Sequence, residues 1–274
     1  MIGAPMLITS PQNPRVKQAV RLRDKRDRLR EGLMLVEGYD EILLALDGGA
    51  APRALFYCPA LAGETAALLA RAATLGADLL EVSPPVLAKM AYRENPDGWL
   101  AVFPRISRAL ADLRLPPAPL LVAAESVEKP GNLGAILRSA DAAGVDAVIV
   151  CDPTTDVTNP NVIRSSRGTV FTVPLVEAEG TVALQWLRER QIAIVATTPA
   201  ASLTHTDVDL RGAVAILVGA EDTGLSARWL DAADVRVRIP MHGRVNSLNV
   251  ATAATLLMYE AVRQRGGLVG GEGE

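Results

Sequence analysis

Apolar residues along this chain gather in short runs, and the runs alternate with longer segments of helical spacing, the pattern of an α/β protein. In the first third, residues 33–36, 54–58, 79–83 and 99–103 read as strands, and 38–48, 61–75 and 84–91 as helices. A charged stretch over 105–118, containing Pro116 and Pro117 and followed by Pro119, reads as a linker. Beyond it, strands are expected at 120–124, 147–151, 170–173, 192–197, 214–218 and 235–239. Helices are expected at 132–144, 160–166, 181–190, 226–232 and 247–265. The chain thus divides into a small α/β unit over 1–104, the linker, a larger α/β unit over 119–266 and a Gly/Glu-rich tail over 267–274. Strands separated by helices imply a mostly parallel sheet with helices on both faces.

The last helix carries Val250, Ala251, Ala253, Ala254, Leu256, Leu257, Met258, Ala261 and Val262, which cover more than one face. A helix apolar on several sides is buried on several sides. It is either central to its own domain or meets another subunit.

Composition narrows the class. Of the 274 residues, 49% are hydrophobic and the net charge is −3, which suits a soluble globular protein. No run approaches the ~18–20 apolar residues of a membrane span, and charged and proline residues arrive too early for a secretory signal. Cys58 and Cys151 lie in apolar strand-like runs, so buried free thiols and a cytoplasmic location are expected. His205 and His242 are the only histidines, which disfavours a Cys/His metal site. Aromatic residues make up 4% of the chain, too few for a broad base-stacking platform. One local asymmetry stands out: Arg15, Lys17, Arg21, Arg23, Lys25, Arg26, Arg28 and Arg30 are opposed only by Asp24, Asp27 and Glu31. Such a run is either the solvated face of a helix or an electrostatic footprint for nucleic acid.

Three segments place small polar side chains where a strand stops and a helix begins, where open α/β sheets put ligands. The first is Glu128-Lys129-Pro130-Gly131-Asn132, leading into a helix that carries Arg138 in an otherwise apolar run. Arg138 is either a surface arginine or a planar donor fork for phosphate or carboxylate. In the second, Gly219-Ala220-Glu221-Asp222-Thr223-Gly224-Leu225-Ser226, the first glycine allows close backbone approach by a ligand, and Ser226 is placed to cap the next helix. An ordinary strand–turn–helix junction has the same composition. The third runs from Ile239 to Ala251 and holds Asn246, Ser247 and Asn249; its plain reading is a helix capped by Asn246 or Ser247. No G-x-G-x-x-G follows a strand, which argues against a Rossmann-type oxidoreductase.

In order and spacing, Asn132-x-Gly134-x-x-x-Arg138-x-Ala140, Gly219-x-Glu221-x-x-Gly224-Leu225-Ser226 and Ile239-Pro240-Met241-x-Gly243-x-x-x-Ser247-Leu248-Asn249-Val250 resemble the three motifs of SpoU-type RNA ribose 2'-O-methyltransferases of the SPOUT superfamily. The first hundred residues resemble the L30e-like substrate-binding domain that many members carry. Asn159-Pro160-Asn161-Val162-Ile163-Arg164-Ser165-Ser166 is similar to a family segment on the RNA side of the site.

The resemblance implies a C-terminal trefoil knot that holds S-adenosylmethionine, and a homodimer through the C-terminal domain. Periodicity alone gives an unknotted sheet. It further implies that Arg138 stabilises charge on the attacking 2'-oxygen, that Asn132 and Glu221 orient Arg138 or contact RNA, and that Ser247 and Asn249 shape the transfer pocket. Cofactor contacts fall to Thr197, Thr198, Gly219, Ile239, Met241 and Leu248, and RNA contacts to Arg15, Arg23, Arg26, Arg30 and Arg164. A separate N-terminal domain resembles rRNA-directed members, so 23S rRNA is the expected substrate. A tRNA substrate and a non-catalytic RNA-binding protein are the alternatives. Neither a metal nor a membrane is implied.

Overall fold

The computed structural model describes residues 6–63 and 66–266, so the tail expected at 267–274 lies outside the described residues. The chain forms two compact units: Met1–Ile106 with Asp156–Thr172, and Ser107–Thr155 with Val173–Glu274. Division at a linker over 105–118 leaves 156–172 in the second unit, whereas the fold gathers this segment into the first.

In the N-terminal half the elements are β1 (Met6–Ile8), α1 (Pro14–Arg21), α2 (Lys25–Glu31), β2 (Leu33–Glu37), α3 (Tyr39–Asp47), β3 (Ala54–Tyr57), α4 (Pro59–Ala62), α5 (Ala66–Thr74), β4 (Asp78–Val82), α6 (Pro84–Met90) and β5 (Trp99–Pro104). Their sheet has the order β1-β4-β3-β5-β2, parallel from β1 to β3 and antiparallel where β5 meets β3 and β2. Leu35, Phe56, Leu80, Leu100 and Val102 point to one face, where Val16, Ala19 and Leu22 from the basic segment pack with Val86, Leu87 and Met90 of α6. The basic segment is two helices rather than one. It breaks at 22–24, where the Asp24 carboxylate accepts the Arg26 N–H at 2.7 Å and starts α2 anew.

Arg28 of that segment faces inward and is 1% exposed. Its Nε and Nη2 donate to Asp156 Oδ2 at 3.0 and 2.7 Å, and Nη1 donates to the carbonyls of Leu22 and Arg23 at 2.9 and 2.7 Å. A guanidinium satisfied on three sides is tolerated in a core where a bare charge is not. Burial tends to raise the Asp156 pKa, but hydrogen bonds from Thr158 and Arg28 outweigh it and hold the carboxyl below its ordinary value.

The second half adds β6 (Leu120–Glu125), α7 (Pro130–Ala142), β7 (Ala147–Cys151), α8 (Pro160–Ser165), β8 (Leu175–Ala178), α9 (Gly180–Glu189), β9 (Ala193–Thr197), β10 (Leu203–Thr204), β11 (Val214–Val218), α10 (Ala227–Ala232), β12 (Val235–Arg238) and α11 (Val250–Gln264). Its seven-stranded sheet has the order β10-β12-β9-β11-β6-β7-β8, and every pairing is parallel. Leu121, Ala123, Ile149, Ile194, Ala215 and Leu217 face α9 and α10 with Trp186 and Trp229. Residues of opposite parity face the other side, where α11 packs on α7 and β11. Cys58 and Cys151 are free and buried, and burial raises the Cys151 thiol far above its ordinary range. No described helix is long and apolar enough to cross a membrane.

Two expected elements are displaced. The strand expected at 170–173 is a 3₁₀ turn over Thr169–Phe171, and the strand falls at Leu175–Ala178, beyond Pro174. Phe171 packs on Phe103 with ring centroids 5.6 Å apart, so packing within the first unit overrides the local β-propensity. The last helix begins at Val250 rather than 247, because Asn249 is its cap.

Replacing Arg28 by Ala leaves Asp156 Oδ2 without its two donors while Thr158 and Arg105 still face Oδ1, and a loss of about 3 kcal/mol is expected in denaturant unfolding. The Asp156 contribution is complete above the ordinary aspartate pKa of about 3.9 and disappears as pH falls through the depressed folded value. The stability gap between wild type and Asp156→Asn should therefore close in acid.

Candidate active site

The carboxyl ends of β12, β9, β11 and β6, four neighbours in the sheet, open onto loops 239–249, 197–199, 219–226 and 126–129. A cavity of about 430 Å³ lies among the first three of these loops, a volume suited to a small organic ligand. Thr197, Thr198, Gly219, Ile239, Met241 and Leu248 all line it, as do Glu221, Asn246 and Ser247. The floor is apolar, with Val218, Leu225, Leu230, Val250 and Ala253. Glu221 and Asp222 are the charged lining groups among the described residues, and no basic side chain joins them. Such a lining disfavours polyphosphates and suits a ligand with an apolar or cationic reactive end.

Gly219 has a different reason from the one its sequence position suggests. Loop 220–224 turns back on itself, with the Gly224 N–H on the Ala220 carbonyl at 2.9 Å and Gly224 at φ +68°. A Cβ on Gly219 would strike the backbone of Gly224 and Leu225. The glycine admits the chain's own return rather than a ligand. Ser226 stands at the start of α10 without a side-chain cap bond; its N–H donates instead to the buried Glu125 carboxylate at 2.7 Å.

One network joins three loops. Asn249 Oδ1 accepts the Ala251 N–H at 2.9 Å and caps α11, while its Nδ2 donates to Glu221 Oε1 and Asn132 Oδ1, each at 3.1 Å. Asn132 Nδ2 donates to the same Glu221 oxygen, and Lys129 Nζ pairs with the other. The Lys129 hydrogen bond, helped by that of Asn132, outweighs the opposing effect of burial and keeps Glu221 below its ordinary pKa. Glu221 is therefore placed as a charged anchor of the three segments. Lys129 was overlooked in sequence; its place at the mouth of α7, before Pro130, was the available signal.

The remaining predicted residues divide. Ser247 is exposed at the cavity wall. Arg138 does not line the cavity: it is exposed, about 240° round α7 from Asn132 at 100° per residue, with no partner among the described residues. Among the RNA candidates, Arg23 is committed internally, donating to the carbonyls of Lys89 and Ala91. Arg15 pairs with Asp78, and Arg30 with Asp27 and Glu31. Arg26 and Arg164 are exposed, with no ion-pair partner among the described residues. Among the described residues, no group of three His, Cys, Asp or Glu side chains is placed to hold a metal.

Comparison with known proteins gives the arrangement its context. Residues 119–259 match the SpoU rRNA Methylase family, and residues 13–101 match an MRM3-like substrate binding domain. The 23S rRNA (uridine(2479)-2'-O)-methyltransferase of Streptomyces viridochromogenes is 35% identical over 268 residues, 94% of this chain and 92% of the relative. The 23S rRNA (guanosine(2553)-2'-O)-methyltransferase of Bacillus subtilis is 29% identical over 252 residues, 92% and 97% of the two chains. Among solved structures, an RNA 2'-O ribose methyltransferase superposes with a TM-score of 0.82 at 42% identity, covering 95% of this chain and 99% of that one. An AdoMet-bound rRNA methyltransferase from Sinorhizobium meliloti gives 0.87 at 32% identity, over 94% and 97%. With its second and third motif loops lining one cavity and the first tied to them through Asn132, this chain belongs to the SpoU rRNA methylase family.

Proposed function

We propose that this protein methylates a ribose 2'-hydroxyl of 23S rRNA in the cytoplasm, with S-adenosylmethionine as methyl donor. The observation that carries the reading is the cavity at the carboxyl ends of three neighbouring parallel strands, edged by the Glu221–Asn132–Asn249 network. The cofactor fits the donor set: backbone from three loops, an apolar floor, two carboxylates and no basic side chain among the described lining residues. When bound, S-adenosylmethionine supplies an electrophilic methyl group on a sulfonium. Thr197, Thr198, Gly219, Ile239, Met241 and Leu248 hold it. A knotted threading of the C-terminal segment belongs to the same reading.

The protein's task is then alignment and charge stabilisation. Asn132, Glu221 and Asn249 fix the three loops, and Ser247 stands at the wall where the ribose would enter. Arg138 is the candidate catalytic residue; a guanidinium stays protonated, so it binds phosphate and stabilises negative charge on the 2'-oxygen rather than removing a proton.

Homodimerisation explains why Arg138 lies outside its own cavity lining. The Thr255 hydroxyl donates to that of Ser139 at 2.7 Å, which locks α11 to α7. On this helix pair Arg138, Leu256 and Tyr259 are all exposed, the last two at 40% and 43%. A second copy packed on this face desolvates Arg138 beside a site and covers the apolar pair.

Four outcomes are expected. Ribose methylation mapped in RNA from cells with and without the protein should differ at a 23S rRNA nucleotide; a difference confined to tRNA would overturn the substrate. Arg138→Ala should lower kcat by roughly 10²–10³-fold at saturating RNA and cofactor, and near-normal turnover would remove it from the chemistry. Sedimentation should show a dimer that Leu256→Lys with Tyr259→Lys converts to monomer without loss of cofactor binding; a monomeric wild type contradicts the interface. In RNA binding against salt, Arg26→Ala and Arg164→Ala should each reduce the slope by about one, and an unchanged slope would mark either residue as merely solvated.

A further inference from the structure

In the first unit, loop 91–98 between α6 and β5 is pinned by acidic side chains at both ends. At its start, the Glu37 carboxylate accepts the Tyr92 N–H at 2.6 Å and the Arg93 N–H at 3.3 Å. Glu41 Oε1 accepts Arg93 Nη2 at 2.6 Å, and that nitrogen also reaches the Glu37 carbonyl at 3.2 Å. At its end, Asp97 takes the Tyr39 N–H at 2.7 Å, at the opening of α3, and the Trp99 N–H at 3.3 Å. Glu37 and Glu41 are 8% and 5% exposed. Gly38, at φ +112°, leaves the space that the Glu41–Arg93 pair occupies, which a Cβ would invade. Burying two carboxylates costs free energy that a surface loop with no task has no reason to demand.

What the loop presents is the ring of Tyr92, 42% exposed. Tyr92 and Tyr259 are the large aromatic side chains that stand exposed among the described residues. The Tyr92 hydroxyl accepts Asn161 Nδ2 at 3.0 Å. Asn161 lies in the first turn of α8, whose start is capped by Asn159 Oδ1 on the Asn161 N–H at 2.9 Å. One turn further along the same helical face is the exposed guanidinium of Arg164. An aromatic face, an amide and an unpaired cation thus follow one another over two anchored elements of one unit. That is the donor set of single-stranded RNA recognition, with a ring for a base and an arginine for the adjoining phosphate.

The geometry points to Tyr92 as a base-stacking residue that, with Arg164, seats an unpaired RNA nucleotide on the first unit. The assignment rests on the RNA-modifying function above and adds a residue that recognises bases. The anchors give it rigidity, because a ring held by buried hydrogen bonds loses little freedom when a base settles on it.

The test uses the full-length protein and two fluorescent oligomers of equal length, an oligouridylate and its abasic counterpart, with affinity measured by anisotropy. Tyr92→Ala should weaken oligouridylate binding about tenfold and leave the abasic oligomer unchanged, whereas Arg164→Ala should weaken both. Tyr92→Phe should bind as wild type does. In methyl transfer, Tyr92→Ala should raise KM for RNA with kcat retained, and its thermal midpoint should match wild type. Equal effects of Tyr92→Ala on the two oligomers, or none on either, would overturn the stacking site while wild-type methyl transfer still upheld the enzyme. A wild type that binds neither oligomer and transfers no methyl to RNA would overturn both.

Discussion

A single amide side chain holds the site together. Asn249 caps the last helix with its oxygen and, with its nitrogen, reaches Glu221 and Asn132 on two other loops. The helix therefore cannot start elsewhere without releasing the loop after β11 and the mouth of α7. Because the loop after β11 and the segment leading into the helix also wall the cavity, helix capping, loop closure and pocket shape form one cooperative unit. The Glu221 carboxylate at its centre is held below its ordinary pKa by Lys129 and Asn132, which suits an anchor.

Charge is used differently in the first unit. Arg28 and Asp156 are both buried and both fully hydrogen-bonded, so the pair specifies where 156–172 packs more than it adds net stability. Glu37, Glu41 and Asp97 act in the same way on the loop that carries Tyr92. In each case a carboxylate wholly or partly buried receives N–H donors that would otherwise be unsatisfied, which fixes the local backbone. Arg26 and Arg164 on one unit and Arg138 on the other stay exposed, without an ion-pair partner among the described residues.

The apolar runs sufficed to place the central strands, because strands covered on both faces are continuous in sequence. The loops after β6, β11 and β12 were legible for a related reason, small polar residues at the carboxyl ends of such strands having no packing role to fill, whereas the loop after β9 came only from the family resemblance. Short edge strands such as β1 and β10 were not, since three and two residues carry no period. Nor was the displacement of β8, where a Val-Phe-Thr-Val run gave way to packing of Phe171 on Phe103.

By itself, then, the sequence determined the alternation of strands and helices and the loops that carry the motifs, because both depend on residues near one another in the chain. Tertiary structure alone decided which members of the basic run are free, turning Arg28 inward to Asp156 while leaving Arg26 outside. It likewise joined Lys129 to Glu221 across 92 positions and kept Arg138 out of the cavity lining. Those outcomes depend on which face a side chain takes and on what distant group meets it there, and local periodicity carries no record of either.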